Sequence, residues 1–470
     1  MSEKALKIKS DYSIDARLKR WIFLLMPTKL SVNLFRKFVD KNRERNSIEA
    51  AKFLVDTNNI YPTRFHLLLG KFLRFSLKLG DVKLPKSYVS EIIKSLQETR
   101  RNPSKRKDAC EQILNATSKL APHQTSAHGW KLVSLALSGL GFIRAGTIAR
   151  NYCLTAALSE ASSGNATNRT RNLAIKGLLE SRRFDEARHL IESEAPSIEV
   201  STSDETYGDY LALLNRRRPE VIIKSPVVET EVEKLFSSLV NKKSVALVAP
   251  GVIDKEYGQE IDSHDTVFRV KFNGRSAMPD EKYVGRRCDI TSHNSDLLTL
   301  AKLNKLESSA AISDAPDLKL IVSKKGEFGS IDGVPVRSMY GWPPTFLTTA
   351  TSGTLLLFET LRFAPKIIKL FGFDFYTNRQ IYNEALLKKY KSSSNPDGAD
   401  RRSYSWSGDD FAIHAVARSH ISHDLKSDFL LVKNLYELSG LIDGTPEVLE
   451  ILNLTADEYD ARLEEMLGDW

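Results

Sequence analysis

A short apolar run that ends in a Pro-Gly turn is the sequence feature that most constrains how this chain can fold. Residues 244–251 read Ser-Val-Ala-Leu-Val-Ala-Pro-Gly, and similar apolar runs occur at residues 318–323 and 367–373. Such runs are typical of strands buried on both faces of a parallel sheet. Helical patterns, for example over residues 353–362, separate them. The alternation predicts an α/β, Rossmann-like layer architecture.

The part of the chain before this strand has a different pattern. From residue 47 to about residue 218, apolar residues recur at spacings of three and four, which predicts an array of short amphipathic helices. Residues 172–192 resemble a tetratricopeptide helix pair, with Gly177 at a close helix approach and Phe184 at the start of the second helix. Charge and prolines after residue 214 mark a connector. We therefore predict an all-α, helical-repeat-like domain over residues 1–225 and an α/β domain over residues 226–470.

The overall charge of the chain indicates which chemical class of partner it binds. The formal net charge of +9 favours an anionic partner, such as nucleic acid, membrane headgroups or an acidic sugar nucleotide. No basic stripe interleaved with aromatic residues is present, and no nucleic-acid-binding module is recognisable, so we expect no nucleic-acid partner. The three cysteines, Cys110, Cys153 and Cys288, are widely spaced and form no CxxC pair. Neither a disulfide framework nor a zinc site is predicted.

The basic N-terminal segment bears on the location of the protein. Its apolar run, residues 21–26, is far shorter than the roughly 20 residues that a transmembrane helix needs, and no signal-peptide cleavage site follows it. We expect a cytoplasmic protein. The segment could make peripheral contact with the anionic inner face of the membrane, or it could be an ordinary first helix with one face buried.

Two loops of the predicted sheet carry residues suited to an anionic ligand. Gly251 follows the first strand, where backbone N–H groups could approach a phosphate, although the full GxGxxG pattern is absent. Thr351, Ser352 and Gly353 precede a helix, where free N–H groups and two hydroxyls would suit a carboxylate or a phosphate. Helix capping is the structural alternative for the two hydroxyl residues.

Three motifs in chain order resemble those of the sialyltransferase family, glycosyltransferase family 29. Residues 258–269 reproduce the family's spaced string Gly-x-x-Ile-Asp-x-His-Asp-x-Val-x-Arg, and Val284-Gly285 continues it. Thr351-Ser352-Gly353, a helix and then Gly372-Phe373-Asp374 look like the short sialylmotif. His423, followed five positions later by Asp428, resembles the family's last motif, in which Glu takes the second place. The resemblance implies a GT-A-like glycosyltransferase domain of a divergent, bacterial type.

The family's chemistry, carried over by this resemblance, implies an inverting transfer of an acidic sugar, sialic acid or Kdo, from a CMP-sugar to a glycan or glycolipid acceptor. It implies no metal and no other cofactor. His423 would be the general base, with His420 and His414 as competitors, because a His side chain titrates near working pH. The implied donor-binding residues are Gly251, Arg269, Lys271, Asn273, Thr351, Ser352, Gly353, Gly372, Phe373, Asp374, Tyr404 and Trp406. Structural or supporting roles fall to Asp262, His264, Asp265 and Asp428.

The chain also departs from the family pattern. Ala249-Pro250-Gly251 stands where the family has a Gly-Asn turn, and Lys271 stands where the family's Arg-x-Asn has Asn. Lys271 could supply positive charge near the donor phosphate. A polar stretch at residues 391–402 could act as a lid over the acceptor side.

Two other functions remain open. One is a helical-repeat adaptor whose transferase-like domain is inactive. The other is a different nucleotide-using Rossmann enzyme, such as a methyltransferase. Such an enzyme would need a glycine-rich first loop and an acidic residue at the end of the second strand, and of these the chain has only Gly251.

Overall fold

The computed structural model describes residues 84–163, 167–193, 202–214, 230–272, 274–275, 278–293, 315–324, 329–339, 343–378 and 423–467. The N-terminal segment with its predicted membrane contact, the predicted domain border and the predicted lid lie outside these residues. Among the helices that the structure does describe, none combines the length and the apolar character needed to cross a bilayer.

Within the described residues, eight strands form a mostly parallel sheet at the centre of the C-terminal half. Its spatial order is β5-β6-β4-β3-β2-β1-β7-β8, and only the β5–β6 pair is antiparallel. The turn of that hairpin holds Asp332 and Gly333, both with positive φ, as a tight two-residue hairpin turn requires. The strands are β1 (Ser244–Val248), β2 (Thr266–Val270), β3 (Ile290–His293), β4 (Leu320–Ser323), β5 (Ser330–Ile331), β6 (Val334–Ser338), β7 (Ile367–Phe371) and β8 (Ile442–Gly444).

The apolar runs in the sequence correctly predicted three of these strands. β1, β4 and β7 each have a partner strand on both sides, and β1 and β4 are buried along almost their whole length, as continuous apolar runs indicate. Along β1, Val245 and Leu247 point into the large core on one face, whereas Ala246 and Val248 point into a smaller cluster on the other face. The coarse prediction of an α/β sheet with parallel, two-sided burial is thus confirmed.

Helices cover both faces of the sheet and form the whole of the described N-terminal half. Predicted helices are confirmed before β1, before β7 and at the C-terminus, where Thr455 and Glu458 make the predicted capping box. The helices are α1 (Lys86–Arg101), α2 (Arg106–Ser118), α3 (Ala127–Gly139), α4 (Ile143–Ser162), α5 (Asn168–Glu180), α6 (Phe184–Glu192), α7 (Thr202–Leu214), α8 (Glu231–Val240), α9 (Gly258–Ser263), α10 (Glu281–Val284), α11 (Ser352–Leu361), α12 (Leu425–Ser439), α13 (Pro446–Leu452) and α14 (Ala456–Met466).

The described helical half packs directly against the sheet half. Leu178 and Leu179 of α5 belong to the same apolar core as Val245 and Leu247 of β1. The predicted close approach at Gly177 is present, because a Cβ atom there would lie 2.7 Å from Leu154 of α4 and 3.1 Å from the ring of Phe346. The loop that contains Phe346 leads into α11, so the helical half supports the region that precedes α11.

Candidate functional site

The candidate site lies at the edge of the sheet where the parallel strands end. The chain adds strands on one side of β1 through β2, β3, β4 and β6, and then returns to the other side of β1 with β7 and β8. The strand order therefore reverses between β1 and β7. In open α/β sheets, ligands bind beyond the carboxyl ends of the strands at such a reversal.

The loops after β1 and β7 pack closely at this reversal. The amide of Ala249 donates to the carbonyl oxygen of Phe371 at 2.9 Å, which extends the strand pairing by one residue. A Cβ atom at Gly251 would lie 2.3 Å from the carbonyl oxygen of Gly372, and Gly372 itself has a φ of +67°. Two predicted donor-binding glycines are thus brought together, and the close packing of their backbones requires the absence of side chains.

The start of α11 lies beside the loop after β7. A Cβ atom at Gly353 would lie 2.9 Å from a ring carbon of Phe373, so these two predicted residues also meet. Thr351 occupies the N-cap position, but its side chain makes no capping hydrogen bond and instead bonds the Thr354 hydroxyl at 3.3 Å. Thr351 therefore stands at the N-cap without a side-chain capping bond, and its hydroxyl is engaged within the protein.

His423 lies against the residues that precede α11. Its backbone forms an isolated parallel bridge with Thr349, and its Nδ1 lies 3.1 Å from the carbonyl oxygen of Ala350. A carbonyl oxygen only accepts, so Nδ1 carries the proton and the lone pair resides on Nε2. Burial, together with the charges of Lys324 and Lys271, lowers the pKa of His423 to about 3. The imidazole is therefore neutral near pH 7, the form that a general base requires.

Among the described residues, Lys271 and Lys324 bring positive charge to this region. Lys271 follows β2 and has a φ of +58°, a left-handed conformation that is uncommon for a residue with a side chain. Lys324 follows β4, and its ammonium donates to the carbonyl oxygen of Ala350 at 3.3 Å. Both charges act on His423. The ends of β2 and β4 thus place cations beside the candidate base.

Two aspartates, the buried Asp428 and the half-buried Asp374, stabilise the surrounding loops. Asp428 accepts from the amide of Thr351 at 2.9 Å, whereas its other oxygen has no hydrogen-bond partner among the described residues. Asp374 accepts from the amide of Tyr376 at 2.9 Å. Burial raises the pKa of each carboxyl to about 7. Asp428 thus fixes the entry to α11, which is a supporting role.

Three other predicted residues make structural contacts elsewhere. Asp265 accepts from the amide of Ser244, and His264 bonds the carbonyl oxygen of Glu260, both near the amino ends of β1 and β2. Asp262 accepts from the amides of Arg286 and Arg287, at 2.8 and 3.0 Å. These contacts fit the structural roles predicted for Asp262, His264 and Asp265.

Arg269 was predicted to bind the donor, but its buried side chain is otherwise occupied. It donates to the carbonyl oxygens of Arg287 and Val284, each at 2.7 Å. Burial lowers the pKa of this guanidinium. These bonds attach β2 to the segment before β3, and we therefore treat Arg269 as a structural residue.

Several predicted residues lie outside the described part of the chain. They are Asn273, Tyr404, Trp406, His414 and His420. Conversely, Lys324 was not among the residues predicted from the sequence. The signal for it was available, because Lys324 directly follows a predicted strand and ligands bind at the carboxyl ends of such strands.

No group of three or more His, Cys, Asp and Glu side chains suited to a metal ion occurs within the described residues. No protein-family model matches the chain, and no curated protein matches its sequence.

Proposed function

We propose that this chain is a CMP-sugar-dependent glycosyltransferase of the sialyltransferase kind, with a Rossmann-like, GT-A-like domain and a helical-repeat-like domain before it. The donor would carry an acidic sugar, sialic acid or Kdo, and the acceptor would be a glycan or a glycolipid. The observation that carries the proposal is the arrangement of His423. Its Nδ1 proton is bound to Ala350, which leaves Nε2 as a base beside two lysines and the start of α11.

The proposed reaction is a single displacement. An acceptor hydroxyl oxygen bonds to the anomeric carbon while the bond from that carbon to the phosphate oxygen breaks. CMP leaves with the bonding electron pair, and Nε2 of His423 takes the hydroxyl proton. The charge that develops on the phosphate is stabilised by the ammonium groups of Lys271 and Lys324 and by backbone N–H groups at the start of α11.

The low pKa of His423 has a specific meaning in this scheme. Burial and, to a smaller extent, the two lysine charges disfavour the imidazolium in the protein without ligand. A donor brings a phosphate and a carboxylate, and these negative charges raise the pKa of a nearby imidazole. Donor binding would therefore increase the basicity of His423 at the stage when it must accept a proton.

The test uses the full-length chain with CMP-Neu5Ac and CMP-Kdo in separate assays. CMP release is measured by chromatography, with water taking the place of the unknown acceptor hydroxyl, and CMP binding is measured by calorimetry. We expect one donor to be turned over. His423→Gln should lower kcat about 10²- to 10⁴-fold, the usual contribution of a general base, without loss of CMP binding.

His264→Gln is the matched control, because His264 belongs to a resembling motif but bonds the carbonyl oxygen of Glu260 near the start of β2. Its kcat should equal that of the wild type. If neither donor binds or is turned over, the transferase proposal is wrong. Donor binding without CMP release, even with a mixture of glycan acceptors, would favour the inactive adaptor.

A further inference from the structure

A buried arginine of the helical half connects that half to the candidate base. Arg150 of α4 is only 5% exposed, and its guanidinium donates to both carboxylate oxygens of Asp424, at 2.9 and 3.0 Å. It also donates to Glu180 of α5 at 2.7 Å and to the hydroxyl of Ser427 at 2.7 Å. Asp424 directly follows His423, so this network ends at the neighbour of the base.

The same network holds the loop that contacts the imidazole. Asp424 accepts from the amide of Leu347 at 2.6 Å, and the Ser427 hydroxyl accepts from the amide of Phe346 at 2.9 Å. The amide of Asp424 donates to Thr349 at 3.0 Å. The chain continues from these residues to Ala350, whose carbonyl oxygen binds His423. Both the backbone of His423 and the acceptor of its Nδ1 proton are therefore tied to one set of buried charges.

Packing and charge fix the guanidinium itself. The ring of Phe346 lies under it, with 4.9 Å between the guanidinium carbon and the ring centroid. Burial alone would raise the pKa of Asp424, but the charge of Arg150, together with hydrogen bonds from Arg150, Leu347 and Ser427, outweighs this effect, and the pKa lies below its ordinary value. Asp424 is thus ionised at neutral pH, and a planar, bidentate guanidinium defines its orientation.

We infer that Arg150 is a positioning residue, which acts from the helical half to set the orientation of His423 relative to Ala350. The expected effect of Arg150 on kcat rests on the proposed function, whereas its effect on the loop before α11 does not. In this view α4 and α5 form part of the scaffold of the candidate site. A displacement of about 1 Å at a reacting group is enough to cost about 100-fold in rate, so the loss of Arg150 should be visible in kcat.

The test compares Arg150→Met with Arg337→Met. Arg337 is the matched control, since it is 3% exposed and is also held by two buried carboxylates, Glu233 and Glu359. Glu359 lies seven residues along α11 from Ser352, a rise of roughly 10 Å. Both variants remove a buried guanidinium that lies between carboxylates. Only the guanidinium of Arg150 contacts residues next to His423.

Two readouts are measured below the unfolding temperature of each variant. Hydrogen exchange at the amides of Phe346 and Leu347 should be at least about 10-fold faster in Arg150→Met than in Arg337→Met, because these amides lose fixed acceptors. The kcat for CMP release should fall about 10- to 100-fold in Arg150→Met, as is typical when a supporting contact to a reactive group is removed, with a smaller change in KM. Arg150→Lys keeps the positive charge but lacks the planar, bidentate guanidinium, so its kcat should be higher than that of Arg150→Met and lower than that of the wild type.

Equal kcat values for Arg150→Met and Arg337→Met, at the same folded fraction, would overturn the inference. Unchanged protection of Phe346 and Leu347 would do the same. If Arg150→Met does not fold, Arg150→Lys takes its place in the comparison. Its kcat and its exchange rates should then lie between those of the wild type and those expected for Arg150→Met. Wild-type values of both would overturn the inference. If the wild type releases no CMP from either donor, the proposed function fails, and hydrogen exchange alone still decides whether Arg150 holds the loop.

Discussion

Lys324 and His423 share one hydrogen-bond acceptor, the carbonyl oxygen of Ala350. The ammonium lies 3.3 Å from this oxygen and the imidazole Nδ1 lies 3.1 Å from it. The shared acceptor holds a cation close to the imidazole, and this charge is one of the causes of the low pKa of His423. The end of β4 and the segment before α11 thus act on the same side chain.

Removal of Lys324 should change both donor binding and the titration of His423. In Lys324→Ala, we expect the Kd for CMP to rise about 10-fold, the effect of losing one charge-assisted contact to phosphate. The pKa of His423 should rise toward its ordinary value, because one positive charge that disfavours the imidazolium is gone. Calorimetry gives the Kd, and the NMR shift of the His423 ring protons against pH gives the pKa.

Lys319→Ala is the control for this pair of measurements. Lys319 precedes the same strand, and its ammonium binds Asp289 at 2.8 Å rather than Ala350. Its removal should leave the Kd for CMP and the titration of His423 unchanged. If the two lysine variants weaken CMP binding equally, Lys324 has no specific role.

The pH dependence of the wild type should reveal how the donor affects His423. In the free protein the pKa of about 3 keeps the imidazole neutral from pH 5 to pH 8, so its NMR signals should not titrate in this range. Because kcat/KM reports the free enzyme, it should show no acidic limb from His423 above about pH 4. The bound donor's negative charges raise the pKa, so the acidic limb of kcat should lie at higher pH. An ordinary His titration near pH 6.5 in the free protein would contradict this account.

The local sequence predicted the strands because burial on both faces leaves a continuous apolar run. β1 and β7 were predicted to within three residues of their observed ends, and the glycine-containing loops after them do meet. The GT-A-like and helical-repeat descriptions stay predictions. Because the strands run parallel, their carboxyl ends lie at the same edge of the sheet. The rule that pointed to the loops after β1 and β7 therefore also points to Lys324, which follows β4.

Other contacts in the site could not be predicted from the sequence alone. Arg150 and Asp424 are 274 residues apart, and nothing in either local pattern indicates that they pair. Arg269 matches a motif position by residue type, but its side chain follows the pleat of β2 toward carbonyl oxygens before β3. Such partners depend on how distant elements pack, whereas periodicity reports only the local backbone and its buried face.

A methyl group at Gly353 should disturb the start of α11. In Gly353→Ala the added carbon would lie 2.9 and 3.2 Å from two ring carbons of Phe373, so the ring or the helix must move. We expect the free energy of unfolding to fall by about 1 to 3 kcal/mol, as overpacking usually costs, and CMP binding to weaken. Urea denaturation and calorimetry measure the two effects.

Gly208→Ala provides the comparison for this glycine. Gly208 lies in α7, where an added Cβ would meet nothing within 4 Å. The substitution should stabilise the protein by up to about 1 kcal/mol, because alanine favours the helix, and CMP binding should not change. Adding Phe373→Leu to Gly353→Ala should recover part of the lost stability, and a failure to do so would argue against the steric cause.

The buried carboxyl of Asp428 should make the stability of the protein fall as the pH rises. Burial raises its pKa in the folded state to about 7, above the ordinary value of 3.8. The protonated carboxyl therefore contributes stability that is fully present below about pH 3.8 and is lost as the pH rises through 7. Asp428→Asn removes this titration and keeps an oxygen that can accept from Thr351. Between pH 5 and pH 8, the variant should gain about 1 to 3 kcal/mol in free energy of unfolding relative to the wild type.

Urea denaturation at the two pH values measures this difference, with Asp332→Asn as the control. Asp332 is exposed in the β5–β6 turn, and its positive φ suits Asn as well as Asp. Its substitution should change the stability equally at pH 5 and pH 8. If Asp428→Asn also shows no dependence on pH, the carboxyl is ionised in the folded protein at both pH values. Asp428 would then hold the Thr351 amide as a buried anion, and the substitution should destabilise the protein at both pH values because it replaces a charged acceptor with a neutral one.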